Sequence, residues 1–134
     1  MMLCSGAALL GLVLPVPVLA QDITAAQAIA DFAKGVEPVA GDVTLILPEV
    51  AEDGFKVLVK MAAPGAEALL LVAPENPVPP IATVTFGPLA ARQRFATRIR
   101  LARSQTVIAL ARMPGGAVYF TERPIAVVVG GCGA

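Results

Sequence analysis

"RFATRIRLARSQTVIALAR", residues 94–112, holds two kinds of β-strand side by side. From Arg94 to Leu101 the residues alternate. Phe95, Thr97, Ile99 and Leu101 fall on one face, and Arg94, Arg98 and Arg100 fall on the other. That period of two describes a half-buried strand with one apolar and one solvated, basic face. The basic face reads as a solvated surface, or as a local positive field for a small anion or an acidic partner. After the break "ARSQ", "VIALA" at 107–111 is apolar on both faces, and so is "LLLVA" at 69–73. One face of each such strand must meet something other than water: the opposite sheet plus a helix, or another chain.

Outward from this pair the same pattern continues. Short β-rich runs at residues 43–47, 56–62, 68–73, 81–86, 94–101, 106–112, 117–121 and 125–129 are separated by Pro, Gly, Asn and Asp. Eight short strands at nearly even spacing, with no helix between them, predict an all-β, immunoglobulin-like antiparallel β-sandwich rather than a parallel βαβ sheet. "PGG" at 114–116 reads as a hairpin turn. One helix precedes the strands, over residues 22–34. Asp22 is its expected cap, Ala25, Ile29, Phe32 and Val36 share a face, and Gly35 stands where a terminating glycine belongs.

The 134-residue chain therefore divides into an export signal (1–20), an N-terminal helical segment (21–37), the sandwich (38–129) and a C-terminal arm (130–134). Residues 1–20 have no charged side chain, and the apolar run from Ala7 to Ala20 contains Pro15 and Pro17. It is too short for a spanning helix, which needs roughly 20 apolar residues. It ends with Val18 and Ala20 at the positions of a small-residue cleavage site, so the mature chain is expected outside the cytoplasm. Cys4 leaves with the signal, and Cys132 becomes the one cysteine of the mature chain. An odd cysteine in an exported protein implies an intermolecular bond or a free thiol.

Composition excludes several functions. Ten basic and ten acidic residues cancel, whereas a nucleic-acid binder needs an excess of cations. The chain has no histidine, so a Ser-His or Cys-His dyad and an imidazole metal site are ruled out. No phosphate-binding glycine loop is present. No catalytic residue, metal ligand or cofactor is expected, and an independent thiol enzyme is disfavoured because no base can be named.

What remains is Cys132 between Gly130, Gly131 and Gly133. Glycine carries no Cβ, so the segment is thin, and it extends the thiol about 10 Å past the last strand. Beyond Arg123 the chain has no cation to activate the thiol, and the nearby terminal carboxylate disfavours the thiolate. Two readings fit: a carrier arm whose chemistry is supplied by the site that receives it, or a structural or adhesive β-sandwich that dimerises through Cys132.

Four segments carry a resemblance. "VTLILPEVAEDG", "ENPVPPIATVTFGP", "TRIRLARSQTVIALARMPGG" and the terminal "VVVGGCG", in this order over residues 43–133, resemble the SoxY family of sulfur-carrying subunits of Sox thiosulfate oxidation. The resemblance implies an immunoglobulin-like sandwich with Cys132 as the covalent sulfur carrier and Gly130, Gly131 and Gly133 as its swinging arm. It implies a periplasmic, non-catalytic protein without cofactor. It implies a SoxZ subunit as companion. Transient partners would be a c-type cytochrome that loads thiosulfate, a hydrolase that releases sulfate and, in some organisms, a sulfur dehydrogenase.

Overall fold

Thr24 opens the first described element. The structure, a computed structural model, describes residues 23–128; the expected signal and the arm with Cys132, Gly130, Gly131 and Gly133 lie outside the described residues. Helix α1 (Ala25–Ala33) begins in a reciprocal cap: the Gln27 amide donates to Thr24 Oγ1 at 3.1 Å, and the Thr24 amide donates to Gln27 Oε1 at 3.0 Å. This capping box satisfies two otherwise unpaired amides, and it moves the start of the helix past the Asp22 cap that the sequence suggested. Lys34 and Gly35 then take φ of 53° and 83°. Glycine enters that left-handed region without strain, and the helix stops where Gly35 was expected to stop it.

Nine strands follow. They are β1 (Val39–Ala40), β2 (Thr44–Ile46), β3 (Val50–Ala51), β4 (Val57–Ala62), β5 (Ala68–Val72), β6 (Pro80–Thr85), β7 (Arg94–Ile99), β8 (Gln105–Arg112) and β9 (Val118–Val127). The first six expected strands reappear as β2 and β4 to β8. The last two merge into β9, because Pro124 does not break the ladder. Pro124 sits in phase with Ala126 and Val128, whose amides point away from β8 toward Glu49 and Ala51. No strand pairs at Pro124 on that side, so a residue without an amide hydrogen fits there. The β8–β9 turn is the "PGG" hairpin: Met113 and Ala117 bond across it at 2.8 Å, and Gly116 has φ 98°.

The strands form two sheets, one in the order β1-β9-β8-β5-β6 with β3 also on β9, the other in the order β2-β4-β7. Pairing is antiparallel apart from the two-residue pairs β1–β9 and β3–β9, which are parallel. The inner faces meet in an aliphatic core containing Leu45, Val57, Val59, Met61, Leu69, Leu71, Val107 and Ile125. Side chains that alternate along β4 show how the pattern drives this: Val57, Val59 and Met61 are buried while Leu58 and Lys60 face out.

The larger sheet has a second apolar layer on its outer face. Phe32 and Ala33 of α1 pack there on Ala68, Leu70, Val72, Leu110 and Val118. All five residues of β5 are buried for this reason. The doubly apolar strands are covered by the opposite sheet plus the helix, so no second chain is needed to explain them. The architecture is the immunoglobulin-like β-sandwich expected from the strand pattern, with one short helix added at its N-terminal side.

Candidate functional site

β9 ends at Val127, five residues before Cys132, and a set of named contacts holds this end of the strand as a base for the residues that follow. The Val127 amide donates to Ser104 Oγ at 2.8 Å, and the same hydroxyl lies 3.4 Å from the Val127 carbonyl. On the opposite edge the Val128 amide donates to the Ala51 carbonyl at 3.0 Å, and Ala126 donates to Glu49 at 2.9 Å. The strand is thus held from both sides at its last residues. The two supports come from the β7–β8 connection and from β3.

Each support is itself held. Asn76, in the β5–β6 connection, donates to the Arg100 carbonyl at 2.8 Å and accepts from the Ala102 amide at 2.9 Å and from Gln105 Nε2 at 3.1 Å. Gln105 in turn accepts from the Glu75 amide. This network fixes the loop that presents Ser104. It also gives a structural purpose to the Asn-Pro segment: the side chain of Asn76 replaces the sheet hydrogen bonds that residues 100–104 lack.

Gly54 is the third support. Its carbonyl accepts from the Leu101 amide at 2.8 Å. A Cβ on Gly54 would stand 2.6 Å from the Leu101 carbonyl oxygen and 3.0 Å from Val127 Cγ1, so no larger residue fits without moving backbone. The neighbouring Phe55 amide donates to Asp53 Oδ1 at 2.9 Å, which closes a turn at Asp53-Gly54. A small open pocket of about 160 Å³ lies against this base, lined by Gly54, Phe55, Arg100, Leu101, Ala102, Val127 and Val128.

Arg100 departs from the expected arrangement. The sequence placed it with Arg94 and Arg98 on one strand face, but β7 ends at Ile99. Arg100 lies beyond the strand, with its guanidinium 4.5 Å from the centre of the Phe55 ring. Ser104, Asn76, Gln105 and Gly54 were not singled out as site residues from the sequence. The readable signal was "ARSQ", a Ser and a Gln at a break directly before a buried strand.

Chemically, this base positions and does not react. Among the described residues, no group of three His, Cys, Asp or Glu could hold a metal ion. Among the described residues, no helix is long and apolar enough to cross a membrane.

The comparisons with known proteins agree with this geometry. Residues 29–132 match the family described as "Sulfur oxidation protein SoxY", a span that ends on Cys132. Among curated proteins, none matches the sequence. Among solved structures, the chain is similar to the sulfur carrier protein SoxY from Chlorobium limicola f thiosulfatophilum. The TM-score is 0.66 at 27% identity, covering 78% of this chain and 96% of that one. It is also similar to the superoxide reductase (neelaredoxin) from Ignicoccus hospitalis, with a TM-score of 0.53 at 16% identity, covering 78% and 94%. The second likeness is one of fold alone. The family match spans most of the chain and every described strand, and the chain belongs to the SoxY family of sulfur oxidation proteins.

Proposed function

We propose that the chain is an exported, covalent sulfur carrier whose cargo is bonded to Cys132 and presented to partner enzymes on the segment Gly130–Gly131–Cys132–Gly133. The observation that carries this reading is that the family match runs through the sandwich and stops on Cys132, the cysteine that cleavage of the expected signal would leave. The base described above supports it. A delivered thiol needs a fixed origin as much as a thin arm, and Ser104, Ala51 and Gly54 supply that origin.

In this reading the chain is a substrate rather than an enzyme. Loading joins the Cys132 sulfur to the outer sulfur of thiosulfate. The thiol proton and two electrons leave, and a c-type cytochrome accepts the electrons. A hydrolase then adds water across the bond to the sulfonate, which releases sulfate and leaves a persulfide on Cys132. The periplasm is the compartment, and a SoxZ-type subunit is the standing companion. In this reading the site that receives the thiol activates it, since no Lys, Arg or His follows Arg123 in the sequence.

Intact-mass measurement on protein from cells grown on thiosulfate tests the reading. Adducts of sulfur or thiosulfonate mass are expected on the wild-type chain and are absent from Cys132→Ser. A chain carrying only free thiol, or only a Cys132–Cys132 disulfide, would sink the carrier reading and favour the dimerising module.

A further inference from the structure

Lys60, Arg94 and Arg98 stand together on the outer face of the three-stranded sheet, which neither a helix nor a loop covers among the described residues. In the β4–β7 register Lys60 is opposite Ala96, Ala62 is opposite Arg94 and Leu58 is opposite Arg98. Lys60 is therefore diagonal to both arginines, at about 7–8 Å from each. The two arginines are four residues apart on one strand, about 13 Å. Arg98 lies on the same face beside Lys60, while Lys60 and Arg94 flank a floor of Ala62 and Ala96. Their small side chains leave an open basin of about 490 Å³, whose rim includes Thr44 and Ile46.

Among the described residues no acidic side chain belongs to this face, whose remaining strand positions are Thr44, Ile46 and Leu58. Among the described residues none of the three cations makes a side-chain hydrogen bond, and the one ion pair lies elsewhere, between Arg112 and Glu67. Like charges at neighbouring positions repel, so the charges of this cluster do not stabilise the fold. Arg112, on the other sheet, shows what the same fold does with a cation it needs. Arg112 is bonded to Glu67 at 2.7 Å and to the Phe32 carbonyl at 2.8 Å, and it lies over the Phe32 ring.

We propose that the face of Lys60, Arg94 and Arg98 docks a transient protein partner through an acidic patch with an apolar margin. The margin separates a protein from a small anion. Ile46 and Leu58 flank the cations at 57% and 44% exposure. A sulfate or thiosulfate ion leaves that apolar area in water, whereas a protein surface removes it. A second copy of this chain does not fit through the same face, since an isologous contact sets three cations against three. An unpaired basic cluster speeds encounter and sets salt sensitivity, as suits a partner that must bind, react and leave. The inference rests on the carrier reading only for the identity of that partner, the c-type cytochrome that loads thiosulfate.

Binding and chemistry are separable. The Cys132→Ser chain, prepared with whatever subunit co-purifies with it, is titrated against the cognate cytochrome at about 20 and 300 mM NaCl, on either side of strong screening. Binding at low salt is expected to weaken about tenfold at high salt. Lys60→Glu with Arg94→Glu and Arg98→Glu should weaken it at least about tenfold at low salt and remove the salt dependence. Lys60→Arg with Arg94→Lys and Arg98→Lys should retain it, and Arg98→Glu alone serves if the triple variant fails to fold. The proposal is overturned if the Cys132→Ser chain does not bind the cytochrome, or if charge reversal leaves binding unchanged. It is also overturned if sulfate displaces the cytochrome well beyond NaCl of equal ionic strength, which would make the basin a small-anion site. Adducts on wild-type Cys132 answer the carrier question independently of all these outcomes.

Discussion

The two sheets present outer faces that were built alike and finished differently. On the larger sheet, Leu70, Leu110 and Val118 lie beneath Phe32 and Ala33 of α1, and the cation at the edge of that layer, Arg112, is paired with Glu67. On the smaller sheet, Ile46 and Leu58 remain exposed beside Lys60, Arg94 and Arg98, which have no acidic neighbour on the face. Apolar area and positive charge occur on both. One face is closed by the chain itself and serves stability. The other leaves its charges for something outside the chain.

This contrast predicts which substitutions the fold feels. The largest expected effect is at Leu110, 1% exposed beneath the helix. Leu110→Ala should cost about 3 kcal/mol in urea unfolding, because it removes buried carbon and leaves a cavity. The matching change on the bare face, Leu58→Ala, should stay within about 0.5 kcal/mol. Equal losses at the two positions would break the comparison.

Arg112→Ala comes next. It removes the bond to the Phe32 carbonyl, the ring contact and a Glu67 pair whose carboxylate side is 43% exposed. The exposed pair contributes little and the partly buried contacts more, so a loss of about 1–2 kcal/mol is expected. Circular dichroism should show the helix signal falling first.

The smallest effect belongs to the bare face. Lys60→Gln with Arg94→Gln and Arg98→Gln should change stability by less than about 0.5 kcal/mol at physiological salt. The sign should be stabilising at low salt, where like-charge repulsion is least screened. A marked destabilisation would mean that these cations serve the fold after all and would remove the basis for a docking role.

Much of this was legible in the sequence, and the exceptions have physical causes. Alternation over residues 94–101 located β7 and its buried Ile99, and the doubly apolar "LLLVA" located the strand whose five residues are all buried. β1 and β3 were invisible because two-residue pairings leave no periodic pattern; only the partner strand selects them. Pro124 was read as a boundary because its missing amide hydrogen is normally a fault in a ladder. Here it falls on the edge of β9 between the short pairings of β1 and β3, where no acceptor waits. Asp22 was preferred to Thr24 as the helix cap, although Thr24–Gln27 already spelled a capping box. For the site, the glycines around Cys132 were read as a thin arm, a reading that lies outside the described residues, whereas the base at the end of β9 depends on contacts between residues far apart in sequence. Ser104 meets Val127 and Asn76 meets Ala102 only once the sheets have formed.

The two-sided hold on β9 also has a mechanical meaning. A pull on the chain at Val128 acts along the strand axis, across hydrogen bonds that run nearly perpendicular to it. Such a load is shared by the β8–β9 ladder, the Ala51 and Glu49 carbonyls and the Ser104 hydroxyl at the same time, instead of opening them one after another. A load applied at Val128 therefore meets all of these bonds together, and the sandwich does not peel open from this end of β9.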